Sequence, residues 1–333
     1  MSIRVGIVGI AGYGGGEALR YIAQHPRFKL VYAGGESTAG TRVGDRYPGA
    51  PGDIASLVID KFDPTSLNNI DVLFTSLPTG ASKEPLAEVP SHVKIVDIGG
   101  DHRYVDGWTY GLADVWPEQI KGATRIANPG CYPAATLTPL APLLAGKLIE
   151  PSNIIVDAKS GVSGAGRGGG DSKFGYAECN EDLAAYGLLK HTHMPEIAAT
   201  IDKLCGSSTP GATPGASSGL VFTPHLIPMT RGILATIYAR GSASTQQCLD
   251  AARVFYAGRK FVRVTEKSPH TKWAAGSNLA FVSYACDPAR NLVIALCAID
   301  NLGKGAAGQA IQNANLMCGL DEDAGLAAAP MWP

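Results

Sequence analysis

The chain has 333 residues, of which 45% are hydrophobic and 17% are charged, and its formal net charge at pH 7 is -1. This composition and length predict an ordered protein of two domains, because a single hydrophobic core rarely grows beyond about 250–300 residues. The balanced charge, without a Lys- or Arg-rich run, argues against nucleic acid as a partner. No signal sequence is visible and no apolar stretch has the length of a membrane span, so we expect a cytoplasmic protein without a membrane anchor.

Cysteine usage excludes two further classes. The seven cysteines are odd in number and contain no C-x-x-C pair, a pattern that argues against a disulfide framework and against a structural zinc site. We therefore predict no metal and a reducing compartment. Most of these thiols should be small buried apolar groups, so a reactive one needs its own argument.

In the first hundred residues, apolar strands alternate with helical stretches. The strands are predicted at 3–9, 28–34, 71–76 and 93–98, and a helix is predicted at 16–25. Continuous apolar runs are typical of central parallel strands that are covered on both faces. The alternation predicts a doubly wound α/β sheet.

The pattern changes after about residue 130. A helix is predicted at 133–145 and another at 305–318, loops at 160–170 and 206–219, and strands at 154–159, 220–222, 232–239, 262–265, 279–285 and 292–299. Closely spaced strands of this kind predict a second domain with a mixed or antiparallel sheet.

A glycine-rich loop joins the first strand to the first helix. Gly9, Gly12 and Gly15 stand three residues apart, with Tyr13 and Gly14 between the last two. This spacing permits a tight turn that brings the amides of a helix N-terminus against a pyrophosphate, so we expect these five residues to bind a dinucleotide. The alternative is a flexible glycine turn without a ligand.

The residues after the second strand give conflicting signals about the dinucleotide. Glu36 favours the free 2′-hydroxyl of NAD, whereas Ser37, Thr38 and Arg42 are suited to a 2′-phosphate. We select Ser37 as the cofactor-binding residue of this segment, and both cofactors stay open at this point.

Cys131 is the candidate nucleophile. It lies in Asn128-Pro129-Gly130-Cys131-Tyr132-Pro133, directly before a predicted helix. The positive end of a helix dipole stabilises a thiolate, and Pro133 suits a first helical turn because its missing N–H is not needed there. The alternative is an inert buried cysteine in a turn.

Histidines and arginines supply candidate acid–base and anion-binding groups. His193 is our choice for the acid–base residue and His191 for a substrate contact, although the sequence barely separates the two. Arg103 follows a strand and can hold a carboxylate in a bidentate pair. Ser160 and Arg167 belong to a glycine-rich loop suited to a phosphate. Each of these loops has the alternative of being an ordinary solvated surface loop.

Taken together, the segments resemble the N-acetyl-gamma-glutamyl-phosphate reductase family of the aspartate-semialdehyde dehydrogenase superfamily. The matching segments run in family order at 9–17, 97–103, 110–112, 128–133, 159–167, 191–197, 223–226, 231–232, 276–278 and 300–310. The segments at 128–133 and 304–310 are the most specific.

The resemblance implies a Rossmann domain formed by 1–130 with 302–333, and an α+β catalytic and dimerisation domain at 131–301. It implies an NADPH-dependent reduction of N-acetyl-L-glutamyl 5-phosphate to the semialdehyde, in arginine biosynthesis, through a thioester on Cys131. By position it assigns His193 as the acid–base residue and Arg103 to the substrate carboxylate. Gln309 in the last motif is expected to contact the cofactor, and a homodimer or homotetramer is expected.

The sequence also departs from the family pattern. The family usually carries a Ser-Ala-Asp-Phe-Arg type segment where this chain has Gly99-Gly100-Asp101-His102-Arg103, and often a basic residue near Glu36. Two alternatives therefore stay open: a reductase of a related acyl phosphate, aspartyl or carrier-bound aminoadipyl, and a non-catalytic dinucleotide-sensing protein.

Overall fold

The computed structural model describes residues 2–167, 174–206 and 219–332. The chain divides into two compact units. The N-terminal unit comprises Met1–Gly130 and Ala306–Ala328, and the central unit comprises Cys131–Gly305 and Ala329–Pro333.

The N-terminal unit contains a parallel sheet. Its strands are β1 (Ile3–Val8), β2 (Phe28–Gly34), β3 (Ile59–Asp60), β4 (Val72–Thr75), β5 (Lys94–Asp97), β6 (Thr109–Tyr110) and β7 (Arg125–Ala127). They form a seven-stranded sheet in the order β3-β2-β1-β4-β5-β7-β6, and every pair is parallel. All four residues of β4 are buried, as expected for a strand with both faces covered. The predicted Rossmann-type domain is confirmed.

The helices of this unit are α1 (Tyr13–Ala23), α2 (Val43–Arg46), α3 (Gly52–Ala55), α4 (Lys83–Ala87), α5 (Pro117–Ile120) and, after the central unit, α10 (Gly308–Met317). The strand order reverses between β1 and β4, and ligands of such sheets bind outside the carboxyl ends of the strands at this point. The loops that follow β1, β4, β5 and β7 all leave from that edge.

The central unit contains a mixed sheet. Its strands are β8 (Ile155–Gly161), β9 (Ala184–Ala185), β10 (Val221–Ile227), β11 (Ile233–Arg240), β12 (Val262–Val264), β13 (Ala280–Asp287) and β14 (Leu292–Ile299). Their order is β12-β13-β14-β11-β8-β10-β9, with β8–β10 and β12–β13 parallel and the other pairs antiparallel. The predicted mixed sheet is confirmed.

The helices of the central unit are α6 (Cys131–Ala145), α7 (Tyr176–Cys179), α8 (His193–Leu204) and α9 (Thr245–Phe255). Helix α6 is buried on all sides and contains Pro139 and Pro142. Because Pro142 has no N–H, the carbonyl of Thr138 loses its helical donor. The Tyr256 hydroxyl donates to that carbonyl at 2.6 Å and compensates for the loss.

Two helix N-termini predicted from the sequence are wrong by two or three residues. The first helix begins at Tyr13 rather than at residue 16, and α6 begins at Cys131 rather than at 133. In both cases the helix starts inside the motif assigned to ligand binding, so its N-terminus lies closer to the predicted site. The predicted loop at 206–219 falls mainly outside the described residues. Within the described parts of the chain, no helix has the length and apolarity needed to cross a bilayer.

Candidate active site

The glycine loop of the N-terminal unit is shaped by contacts that exclude side chains. Gly9 has φ +80°, and a Cβ there would collide with the backbone carbonyl of Ser76. A Cβ on Gly15 would collide with the carbonyl of Gly9. Gly12 is the N-cap of α1 and no side chain caps the helix. The amides that open α1 therefore remain available to an anion, the arrangement that dinucleotide pyrophosphates use.

The segment after β2 carries two buried polar atoms that have no hydrogen-bond partner among the described residues, Thr38 Oγ1 and Arg46 Nε. Arg46 also donates from Nη2 to the carbonyl of Ala11 in the glycine loop, at 3.3 Å. Glu36 is exposed and lies 3.9 Å from Lys61 Nζ. Buried polar groups are normally satisfied, so these two orphan groups fit a polar ligand such as a phosphate.

Gln309, at the start of α10, is fully buried. Its amide nitrogen donates to the carbonyl of Gly111 at 2.8 Å, and the Asn313 amide donates to the same carbonyl at 2.8 Å. This bond fixes the orientation of the Gln309 amide. Its Oε1 has no hydrogen-bond partner in the described part of the chain and can accept from a ligand amide.

In the central unit, Cys131 is the first residue of α6 and is partly exposed. The backbone of Gly305 lies against it, because a Cβ on Gly305 would be 2.8 Å from Cys131 Cβ. Other cysteines differ: burial raises the pKa of Cys248 to about 12, and burial also raises the pKa of Cys297 far above its usual range. Cys131 therefore combines a helix N-terminus with access, as the sequence predicted for a nucleophile.

Both candidate histidines contact Tyr132, the residue that follows Cys131. The rings of His191 and His193 lie 5.5 and 6.0 Å from the ring of Tyr132, the neighbour of Cys131 in sequence. The Tyr186 hydroxyl lies 3.1 Å from that of Tyr132. Burial raises the pKa of Tyr186 to about 12, and the Cys131 thiolate contributes in the same direction. Both tyrosines thus stay neutral at physiological pH.

The geometry separates the two histidines. His191 Nδ1 accepts from the backbone N–H of His193 at 3.1 Å, at the beginning of α8. Burial lowers the pKa of His191, which favours the neutral ring that this acceptor role requires. Nδ1 of His191 is thereby occupied by a hydrogen bond at the start of α8. His193 is the first residue of α8 and is partly exposed.

A buried carboxylate anchors the segment that lies against Cys131. Asp300 forms a two-bond pair with Arg231, at 2.9 and 3.0 Å. It also accepts from the backbone N–H groups of Gly276, Leu302 and Gly303 at 2.6, 2.8 and 2.9 Å. The carbonyl of Asp300 accepts from the N–H of Gly305 at 2.9 Å. Six N–H donors, five to the carboxylate and one to the carbonyl, thus fix the turn that ends at Gly305.

The remaining predicted substrate residues lie in different settings. Arg103 Nε donates to the carbonyl of Asn128 at 3.0 Å, in the N-terminal unit. Ser160 is buried and its hydroxyl donates to the carbonyl of Gly161 at 3.0 Å, in the central unit. Arg167 is exposed and ends the first described range.

Sequence reasoning assigned no role to Tyr132, Tyr186, Asp300 or Arg231. Tyr132 adjoins the nucleophile in a quoted motif, so its position was a usable signal. Asp300 and Arg231 also belong to quoted motifs, but only the fold shows that they meet. Tyr186 lies in a segment without a motif, and nothing in the sequence points to it. Among the described residues, no cluster of three or more His, Cys, Asp or Glu side chains could hold a metal.

Comparisons with known proteins agree with this geometry. Residues 4–123 match the family model for the semialdehyde dehydrogenase NAD binding domain, and residues 131–301 match the semialdehyde dehydrogenase dimerisation domain. The chain is 71% identical to the N-acetyl-gamma-glutamyl-phosphate reductase of Bradyrhizobium sp. (strain ORS 278) and 69% identical to that of Methylobacterium sp. (strain 4-46), over 100% of each chain. Its fold is similar to that of aspartate semialdehyde dehydrogenase with NADP from Candida albicans, with a TM-score of 0.74 at 16% identity over 95% of this chain and 98% of that chain.

Proposed function

The chain belongs to the N-acetyl-gamma-glutamyl-phosphate reductases of the semialdehyde dehydrogenase family, and we propose that it reduces N-acetyl-L-glutamyl 5-phosphate to the 5-semialdehyde with NADPH, in arginine biosynthesis. The observation that carries the proposal is Cys131 at the start of α6, partly exposed and followed by Tyr132, whose ring contacts two histidines. Identities of 69–71% over the full length support the substrate assignment.

In the first step, the Cys131 sulfur attacks the acyl carbonyl, the bond from that carbon to the phosphate oxygen breaks, and phosphate leaves. The product is a thioester on Cys131. The N-terminus of α6 favours the thiolate that makes this attack. Gly305 leaves room beside the sulfur because it has no side chain.

In the second step, the thioester carbon is reduced. A bound nicotinamide supplies the hydride. His193 donates a proton to the carbonyl oxygen as charge develops there, and then removes it as the carbon–sulfur bond breaks and the aldehyde leaves. We assign this role to His193 because Nδ1 of His191 is already an acceptor for the start of α8.

Anionic parts of the substrate need positive or polar partners. We assign Arg103 to the substrate carboxylate, since its guanidinium can form a bidentate pair. We assign His191, Ser160 and Arg167 to the rest of the substrate, with Arg167 as the partner of the phosphate. The Cys131 thioester then retains the acyl group after the phosphate has left.

For the cofactor, we propose that Gly9, Gly12, Tyr13, Gly14 and Gly15 bind the pyrophosphate through the α1 amides. Ser37, with Thr38 and Arg46, would receive the 2′-phosphate, which favours NADPH over NADH. The orphan Thr38 Oγ1 and Arg46 Nε support this choice, and the exposed Glu36 does not block it. The orphan Oε1 of Gln309 would accept from the nicotinamide amide.

We propose that the mixed sheet forms a homodimer interface. Tyr284, in β13, donates to α6 from the helix-covered face. On the opposite face, Tyr238, Ile294 and Leu296 are partly exposed, and the register aligns Tyr238 with Ile294. An apolar sheet face of this kind fits a second copy of the chain, and size measurement of Ile294→Asp in solution should give a monomer.

The activity is tested in the oxidative direction, with semialdehyde, phosphate and NADP⁺ or NAD⁺, followed at the nicotinamide absorbance. We expect phosphate-dependent turnover with N-acetylglutamate semialdehyde and NADP⁺, and no turnover by Cys131→Ser. Faster turnover of aspartate semialdehyde, or turnover that does not need phosphate, would contradict the proposal. Arg46→Ala should raise KM for NADP⁺ and leave KM for NAD⁺ unchanged.

We also propose that the protein acts in the cytoplasm. All seven cysteines are free thiols, and this supports a reducing compartment.

A further inference from the structure

The N-terminal unit contains a buried carboxylate–imidazole pair that the mechanism does not use. Asp97 is the last residue of β5 and is completely buried, and His102 is only 4% exposed. Their Oδ2 and Nδ1 atoms lie 2.7 Å apart. A carboxylate can only accept, so His102 Nδ1 carries the proton and donates it to Asp97.

The Asp97 carboxylate also accepts hydrogen bonds from neighbouring segments. Its Oδ1 accepts from the Thr75 hydroxyl at 2.7 Å and from the Gly99 N–H at 3.0 Å. The Ser82 hydroxyl lies 3.3 Å from Oδ2, a long contact. His102 is therefore the close donor to Oδ2. Without it, this buried oxygen would keep only the long contact, and a buried acceptor without a good donor destabilises the arrangement around it.

The His102 ring is fixed from a second direction. It stacks on Trp108 with centroids 3.9 Å apart and an interplanar angle of 24°. The bond to Asp97 and the stack on Trp108 together determine both the position and the rotation of the ring. A residue that supplied only a flat apolar ring would keep the stack but lose the hydrogen bond.

The residue that follows is Arg103, the proposed partner of the substrate carboxylate. Asp101, on the other side of His102, accepts from the N–H groups of Gly80 and Ser82 at 2.7 and 2.9 Å. Tyr104 adopts φ +62°, so the chain turns sharply directly after Arg103. The backbone on the amino-terminal side of Arg103 is thus fixed by the side chains of Asp101 and His102, and on the carboxyl side Tyr104 stacks on Tyr110.

We propose that His102 is a positioning residue that sets the affinity for the substrate. By donating to Asp97 while stacked on Trp108, it fixes the turn that directs the Arg103 guanidinium toward the substrate carboxylate. The proposal rests on the proposed function, because it takes Arg103 as the carboxylate-binding group. It also gives a physical role to the 99–103 segment, in which the sequence departs from the family pattern.

Two substitutions of His102 separate the hydrogen bond from the ring stack. Phenylalanine keeps a flat ring against Trp108 but has no donor for Asp97 Oδ2. Glutamine has a side-chain amide that can donate to Asp97 but no ring to stack on Trp108. Comparison of the two variants therefore tests whether the hydrogen bond itself matters.

The experiment measures kcat, KM for N-acetylglutamate semialdehyde and KM for NADP⁺. The variants are His102→Phe and His102→Gln, with the exposed His92→Phe as the matched control. We expect His102→Phe to raise KM for the semialdehyde about tenfold, which corresponds to about 1.4 kcal/mol. Its kcat and its KM for NADP⁺ should stay within about threefold of wild type, about 0.7 kcal/mol by the same relation. His102→Gln should keep the semialdehyde KM near that of wild type, and His92→Phe should match wild type in all three constants.

The proposal is overturned if His102→Phe leaves KM for the semialdehyde unchanged, or if it lowers kcat and weakens NADP⁺ binding to the same extent. If His102→Phe does not fold, His102→Gln provides the test, because the glutamine amide can donate to Asp97 but does not stack on Trp108. A semialdehyde KM near wild type supports the hydrogen-bond role, and a tenfold rise opposes it. Loss of the proposed function is distinguishable, since wild type would then lack phosphate-dependent turnover.

Discussion

The buried Asp300 carboxylate should be the most sensitive single position in the central unit. It pairs with Arg231 and accepts from three backbone N–H groups, and it is fully buried. Asp300→Asn removes the charge and replaces one accepting oxygen by an NH₂ group that faces donors. Breaking a buried ion pair from one side costs about 3–5 kcal/mol. Because the Arg231 side chain is 21% exposed, we expect a value near the lower end, about 3 kcal/mol.

Urea unfolding followed by circular dichroism measures this cost. With a slope of about 2–3 kcal/mol per molar urea, a loss of about 3 kcal/mol lowers the midpoint by about 1 M. The matched control is Asp250→Asn, whose side chain is 57% exposed and pairs with Arg253 on the surface of α9. That variant should stay within about 0.5 kcal/mol of wild type. Equal midpoints for the two variants would refute the account of Asp300 as a buried anchor.

Three further predictions concern binding and stability. Gly9→Ala should abolish NADP⁺ binding in calorimetry, because its Cβ meets the Ser76 carbonyl. The control is Gly40→Ala: Gly40 has φ +86°, and a Cβ built there would have no atom within 4 Å, so this variant should bind NADP⁺ normally. Equal binding of NADP⁺ by both variants would contradict this account. Tyr256→Phe should lower the free energy of unfolding by about 1–3 kcal/mol, because the Thr138 carbonyl loses its donor; an unchanged urea midpoint would refute this role. Burial lowers the pKa of His25, whose Nδ1 accepts two backbone N–H groups, so its contribution to stability should be lost as the pH falls below about 6.5. His25→Asn should flatten that dependence in thermal unfolding between pH 7 and pH 5, and an unchanged slope would contradict it.

The sign of the His25 effect follows from its hydrogen bonds. An acceptor at Nδ1 must be unprotonated, so the folded state favours the neutral ring and its pKa lies below that of the unfolded chain. Between those two values the unfolded chain binds more protons, and acidification therefore favours unfolding. The same direction applies to His191, whose pKa is lowered by burial.

Much of the fold was predictable because apolar patterning reports burial directly. The strands at 28–34 and 292–299 have the predicted boundaries, since each is a mainly apolar segment between turn-forming residues. The short strands β6 and β7 were missed. Two or three residues carry no periodic signal, and tertiary pairing alone places them in the parallel sheet.

Candidate site residues can be predicted where the chemistry is local in sequence. Cys131 could be singled out because a helix start, a proline and a glycine surround it within six residues. The Tyr132–Tyr186 and Asp300–Arg231 contacts could not be predicted, because they join residues that are far apart in the chain. The choice of His193 as the acid–base residue stays a prediction, and the hydrogen bond from the His193 N–H to His191 Nδ1 favours it.

The central claim is that Cys131 carries the acyl group between the loss of phosphate and the reduction. Mass spectrometry of the protein mixed with N-acetylglutamyl phosphate, without a nicotinamide cofactor, tests it most directly. We predict a mass increase equal to one N-acetylglutamyl group on the peptide that contains Cys131, reversed by hydroxylamine and absent from Cys131→Ser. An unmodified Cys131, together with normal turnover when NADPH is added, would contradict the account.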